Sequence, residues 1–125
     1  LTLASLLYKN SKINGEAFNF GPSADQNFSV ANLLDKMIDN WNEGSWKDVS
    51  QKDKVYEAGL LKLCCDKALH MLNWEAALSF NETVKLTAEW YKIYYNKLEA
   101  DIWALNIEQI EYFEKKIKYI HESSK

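Results

Sequence analysis

From Leu98 to Ser123 the chain contains neither proline nor glycine. Nothing in that stretch breaks a helix, and a helix of that length must lie along something apolar to be stable. Trp103, Asn106, Ile110, Phe113, Ile117 and Ile120 recur at alternating steps of three and four, a heptad-type seam. Glu111 before Lys115, and Glu114 before Lys118, have the favourable order for ion pairs one turn apart, each worth a few tenths of a kcal/mol. The expectation is a long terminal helix, either laid against the body of the protein or paired with another chain. Asn106 within the seam would favour one register.

Two further helices are written as clearly. Ser79 and Glu82 have the S-x-x-E spacing of a capping box, and Phe80, Val84, Thr87, Tyr91 and Tyr94, broadened by Trp90, form a stripe behind it, predicting a helix over 80–95. Val30, Leu33, Leu34, Met37, Ile38 and Trp41 lie on one helical face behind Ser29 as N-cap, with Asp35, Lys36, Asp39 and Asn40 opposite; 42–45 ends that helix. Asp66 reads as the N-cap of a shorter helix over 67–72, closed by Asn73-Trp74. The opening run, 1–8, is helix-like and apolar.

Strands are expected in three places. Glu16–Phe20 alternates after the Asn14-Gly15 turn and is stopped by Gly21-Pro22-Ser23, while 46–50 and 60–64 are the other two. Strand, Gly-Pro turn and helix in succession resemble a βα step. The fold class expected is therefore mainly α with a few short strands.

The chain has 125 residues, room for one domain, with 47% hydrophobic and 26% charged residues. Its net charge of −3 gives no broad attraction for nucleic acid or anionic membrane, and neither is expected as a partner. The apolar opening is too short to span a bilayer and lacks a basic lead-in. Because it starts at Leu1 inside a helical pattern, the chain is expected to be a fragment whose upstream sequence holds the chemistry. Cys64 and Cys65 are adjacent, a poor geometry for a disulfide, and are expected to be buried thiols in a cytoplasmic, reducing setting.

No phosphate-binding glycine loop, nucleophile elbow or zinc motif occurs. His70 and His121 stand alone, Glu108, Glu111 and Glu114 suit a solvated helix face, and Tyr91, Tyr94 and Tyr95 suit packing rather than base stacking. No residue is assigned to catalysis, cofactor binding or a metal.

Several segments, in order, resemble a known family. Gly15-Glu16-Ala17-Phe18-Asn19-Phe20-Gly21 resembles the G-x-A-x-N-x-G strand that opens the C-terminal portion of extended short-chain dehydrogenases/reductases acting on sugar nucleotides, and Ser29 to Leu34 is similar to the helix that follows it. Tyr56-Glu57-Ala58 with Leu61-Lys62-Leu63 resembles the H-E-A-x-x-L-x-L-D stretch of the CDP-glucose 4,6-dehydratase branch. Asp66-Lys67-Ala68, Leu72-Asn73-Trp74, Glu82-Thr83-Val84, Thr87 to Tyr91 and 107–111 resemble further pieces, so the likeness covers most of 3–112. Tyr56 stands where the family has His, Cys64 where it has Asp, and Asn73 where it has Gly.

The resemblance implies an α/β C-terminal substrate-binding portion of a Rossmann-type enzyme over 1–96, with a helical extension over 97–125. It implies a lyase that dehydrates CDP-glucose to CDP-4-keto-6-deoxyglucose with internal NAD hydride recycling. NAD would be held by an upstream Rossmann domain, and this chain would form part of the sugar-nucleotide pocket without activity of its own. Glu57, with Tyr56 beside it, is the expected substrate-binding edge. Two alternatives stand: the same region of another sugar-nucleotide epimerase or dehydratase, and a helical interaction module that forms a homo-oligomer through helices including the tail.

Overall fold

The computed structural model describes residues 2–49, 62–96 and 99–123. The helices are α1 (Thr2–Lys9), α2 (Val30–Trp41), α3 (Asp66–Leu72), α4 (Phe80–Tyr95) and α5 (Glu99–Ser123), with a single 3-10 turn at Ser11–Ile13. Two compact units form: one from Leu1–Gln26 and Asp53–Ala76, the other from Asn27–Lys52 and Ala77–Lys125.

The first unit is built on a small apolar core. Ile13, Ala68 and Leu72 are buried, and Leu3 and Leu6 of α1 close over them with Phe18 and Trp74. Asn10 starts the 3-10 turn by accepting from the Lys12 amide at 3.0 Å. Gly15, at φ +80, makes the turn out of it in a conformation that L side chains avoid. α3 ends on Asn73 at φ 49, a left-handed cap whose amide donates to the Ala68 carbonyl.

The expected strand at 16–20 is not formed, and the described residues contain no β-strand. Alternation there is real at the side-chain level: Phe18 and Phe20 lie together at 6.4 Å, and Phe20 meets Trp74 edge-on at 4.8 Å. A strand also needs a neighbour to take its amides and carbonyls, and no described segment offers a ladder. The segment is tied through side chains instead, Asn19 Nδ2 donating to the Cys64 carbonyl at 3.3 Å and Glu16 pairing with Lys67 at 2.6 Å. The stretches 46–49 and 62–64 are likewise irregular, for the same lack of a partner; Ser50, Leu60 and Leu61 lie outside the described residues. The strand–helix step is therefore absent, since 16–20 belongs to the first unit and α2 to the second.

The second unit is α2, α4 and α5. α2 begins with a capping box the sequence reading half anticipated: the Asn32 amide donates to Ser29 Oγ at 3.1 Å, and the Ser29 amide donates back to Asn32 Oδ1 at 3.0 Å. It ends on Asn42 at φ 68. Phe28, just ahead of α2, stacks on Phe80 at the start of α4 with ring centroids 3.9 Å apart, pinning the two helix entrances together. After Gly44, at φ +101, the chain returns over α2 and Trp46 Nε1 donates to Asp35 at 2.9 Å.

α4 lies between α2 and α5, so two of its faces are used. Val84 and Ala88 are its buried residues, and the fully enclosed Ala88 lets a neighbouring backbone approach closely. The expected stripe through Thr87, Tyr91 and Tyr94 is displaced: all three are exposed, and Thr87 satisfies its hydroxyl on the Thr83 carbonyl.

α5 is laid against the body. It runs antiparallel to α4 through a ladder of polar contacts. Trp90 Nε1 donates to Asn106 Oδ1 at 2.9 Å, Gln109 Nε2 to the Leu86 carbonyl at 2.9 Å, and Tyr112 OH to Glu82 at 2.5 Å. Leu105 is buried beside them. The packed face is thus Leu105, Asn106, Gln109, Tyr112 and Lys116, and of the expected seam only Asn106 belongs to it. The Glu111–Lys115 and Glu114–Lys118 pairs are not made; Lys118 reaches Glu122 at 3.9 Å instead.

Candidate functional site

Three of the segments singled out in the sequence converge in the first unit. The Asn19–Ala24 segment, the 62–66 segment leading into α3, and Trp74–Ala76 after it surround a cavity of about 490 Å³. That is the size range of small-molecule sites. Its Gly21–Asp25 wall is held by short local bonds: Ser23 Oγ donates to Asp25 Oδ1 at 2.5 Å, and the Gln26 amide to the Ser23 carbonyl at 3.0 Å. The Ser23 hydroxyl, with its own and neighbouring amides, holds the Asp25 carboxyl below the usual aspartate range. Lys62 Nζ donates to the Ala24 carbonyl, closing the wall onto the opposite segment.

The cavity mixes one cation, Lys62, two carboxylates, Asp66 and Glu75, and the half-buried indole of Trp74. Such a lining can bind and orient a polar ligand against an aromatic face. It contains no nucleophile paired with a base, and His70 on α3 is exposed and not among the lining residues. Cys64 and Cys65 both line it, but the expectation of two buried thiols fails: Cys64 is exposed and Cys65 half-buried. Cys65, not Asp66, stands at the N-cap of α3, and Asp66 is the first helical residue, where its charge suits the helix N-terminus. Tyr56 and Glu57 lie outside the described residues, and Lys62 is the first described residue beyond them. Lys62 and Trp74 were missed as site residues. The only signal for either was that both fall inside the resembling segments.

A second cavity, about 460 Å³, lies between α4 and α5. Glu82, Glu89 and Glu108 face it against one lysine, Lys85, an unfavourable lining for an anionic ligand. Glu82 is the most perturbed acid of the described residues, held down at about 2 by Lys116, Tyr112 and the Ser79 cap. The same bonds raise the Tyr112 phenol and the Lys116 ammonium. A carboxylate so stabilised in its ionised form is a poor proton acceptor near neutrality, so this cluster clasps α5 to the start of α4 rather than moving protons.

The glycines give no cradle for a dinucleotide. A Cβ placed on Gly15 or Gly44 would meet open space, and one on Gly21 would make only ordinary contacts with Cys65 and Leu63. Close backbone approach to a pyrophosphate needs the opposite, so the described residues do not fit NAD.

No family model matches the chain, and no solved structure matches it. Over 93 residues, 74% of this chain, it is 31% identical to a CDP-glucose 4,6-dehydratase of Salmonella typhimurium (strain LT2). The matched region is 26% of that protein, so the chain spans about a quarter of the length of the relative it matches. The similarity relates it to one part of a sugar-nucleotide dehydratase. No helix among the described residues is long and apolar enough to cross a membrane.

Proposed function

We propose that this chain is the substrate-side portion of a CDP-glucose 4,6-dehydratase, a lyase that converts CDP-glucose to its 4-keto-6-deoxy product. In this reading 1–96 is the C-terminal portion of an α/β, Rossmann-type enzyme, 97–125 is a helical extension, and NAD is held by a domain upstream. No chemical step is assigned to this chain. Its part is to shape one wall of the sugar-nucleotide pocket, with Lys62, Trp74, Tyr56 and Glu57 along it. One observation carries the reading: the segments similar to the dehydratase family at 15–22, 61–68 and 72–74 come together around the 490 Å³ cavity, although they are far apart in sequence. A lysine beside an aromatic face suits a ligand with phosphates and a ring.

The test uses the purified chain, CDP-glucose and NAD. Calorimetry should show no tight NAD binding, and mass spectrometry no loss of water from the sugar. Unaided dehydration, or tight NAD uptake, would overturn the assignment of the reacting groups to another domain. The second reading, a helical interaction module, is favoured by the exposed apolar residues of α5, Trp103 at 73% and Ile110 at 54% exposure. It is compatible with the first.

A further inference from the structure

We propose that the outward face of α5 docks antiparallel on the same face of a second copy of this chain. α5 meets α4 through Leu105, Gln109, Tyr112 and Lys116. At 100° per residue, Trp103, Ile107, Ile110 and Ile117 fall on a separate stripe of the helix, turned well away from those contacts. Three of them are open, Trp103 at 73%, Ile107 at 39% and Ile110 at 54% exposure, and Ile117 is half-buried. A run of apolar side chains over four turns, left uncovered by its own fold, is a surface that water disfavours.

The stripe is complementary to itself in one direction. With Ile110 set against Ile110 of the second copy, antiparallel pairing places Trp103 opposite Ile117 and Ile107 opposite Phe113, apolar on apolar throughout. The charges agree. Between 102 and 114 every ionised side chain of α5 is acidic (Glu108, Glu111 and Glu114), and the cations follow at Lys115, Lys116 and Lys118. Lys116 is engaged by Glu82, which leaves Lys115 and Lys118, both exposed, beside the stripe. Antiparallel pairing brings Lys115 alongside the acidic half of the partner helix. Parallel pairing would set like charges together, which costs specificity and stability.

Sedimentation equilibrium of the full chain should show a reversible monomer–dimer system reaching twice the 14.6 kDa chain mass. Ile110→Asp should abolish the dimer while helix content by circular dichroism stays unchanged, because Ile110 makes no contact with α4. Geometry is read by oxidative cross-linking with Cys64 and Cys65 replaced by serine. Ile110→Cys should cross-link to itself rapidly. Trp103→Cys alone should not, because its thiols would lie roughly 20 Å apart along the axis, but it should cross-link when mixed with Ile117→Cys. A wild-type chain that stays monomeric at high micromolar concentration would overturn the proposal and assign the stripe to a different partner. So would a dimer that survives Ile110→Asp, or self-cross-linking of Trp103→Cys as fast as Ile110→Cys. These outcomes do not depend on whether the dehydratase reading holds.

Discussion

Glu82 does three jobs with one carboxylate. Oε2 accepts from the Ser79 amide at 2.9 Å and from its hydroxyl at 2.8 Å, closing the capping box of α4, while Oε1 accepts from Tyr112 at 2.5 Å and Lys116 at 2.6 Å. Its ionised form is what all four partners favour, and its value falls from 4.5 to about 2. A carboxylate with a depressed folded-state value stabilises the fold only while ionised. Its contribution is full above about pH 4.5 and is lost as the pH falls toward 2. Glu16, lowered by its bond to Lys67, acts in the same direction. Urea midpoints should therefore fall on acidification through that window, and Glu82→Gln should flatten the dependence more than Glu16→Gln. Equal flattening by the two would show that the clasp is not the dominant acid-sensitive contact. Ser79→Ala, which removes the cap oxygen but leaves the Lys116 pair, should cost about 1 kcal/mol in the same denaturation assay.

At the scale of the elements, α4 and α5 are joined by side-chain hydrogen bonds more than by apolar packing. The Trp90–Asn106 bond is the best shielded of them. A double-mutant cycle of Trp90→Phe and Asn106→Ala should give a coupling energy of about 1 kcal/mol, and a value near zero would mean the bond adds nothing beyond ring packing. This is also where sequence legibility changes. Both capping boxes, the ends of α2 and α4, and the length of α5 are local matters, settled by residues within one turn of each other, and they read correctly from Ser29, Ser79 and Asn42. What failed needed knowledge of a neighbour. Glu16–Phe20 alternates as a strand does, but a ladder is a property of two segments. α5 carries two adjacent faces, one apolar and one mixed, and the heptad count chose the apolar residues, although the face that packs on α4 is held by Asn106, Gln109 and Tyr112. A polar face becomes a packing face only when its partners, here Trp90, the Leu86 carbonyl and Glu82, stand opposite. Thr87, Tyr91 and Tyr94 were misplaced for the same reason: α4 has two neighbours and buries the small residues Val84 and Ala88.

For the whole molecule, the two units have different characters. The second is tied by caps, an aromatic staple and the Glu82 clasp. The first has a core of three buried residues, Ile13, Ala68 and Leu72, and carries the cavity that gathers the dehydratase-like segments. So small a core makes Leu72 indispensable there: Leu72→Ala should lose about 2–5 kcal/mol and broaden the resonances of the first unit while those of α4 stay sharp. Of the site, Asn19, Gly21 and Asp66 were legible as parts of resembling segments, whereas the grouping of Lys62 with Trp74 came only from the fold. The most direct test of that grouping is an amide NMR titration of the chain with CDP-glucose. The account predicts saturable shifts at 19–24, 62–66 and 74–76 that Lys62→Ala weakens. Shifts confined to α4 and α5, or none at millimolar ligand, would contradict it.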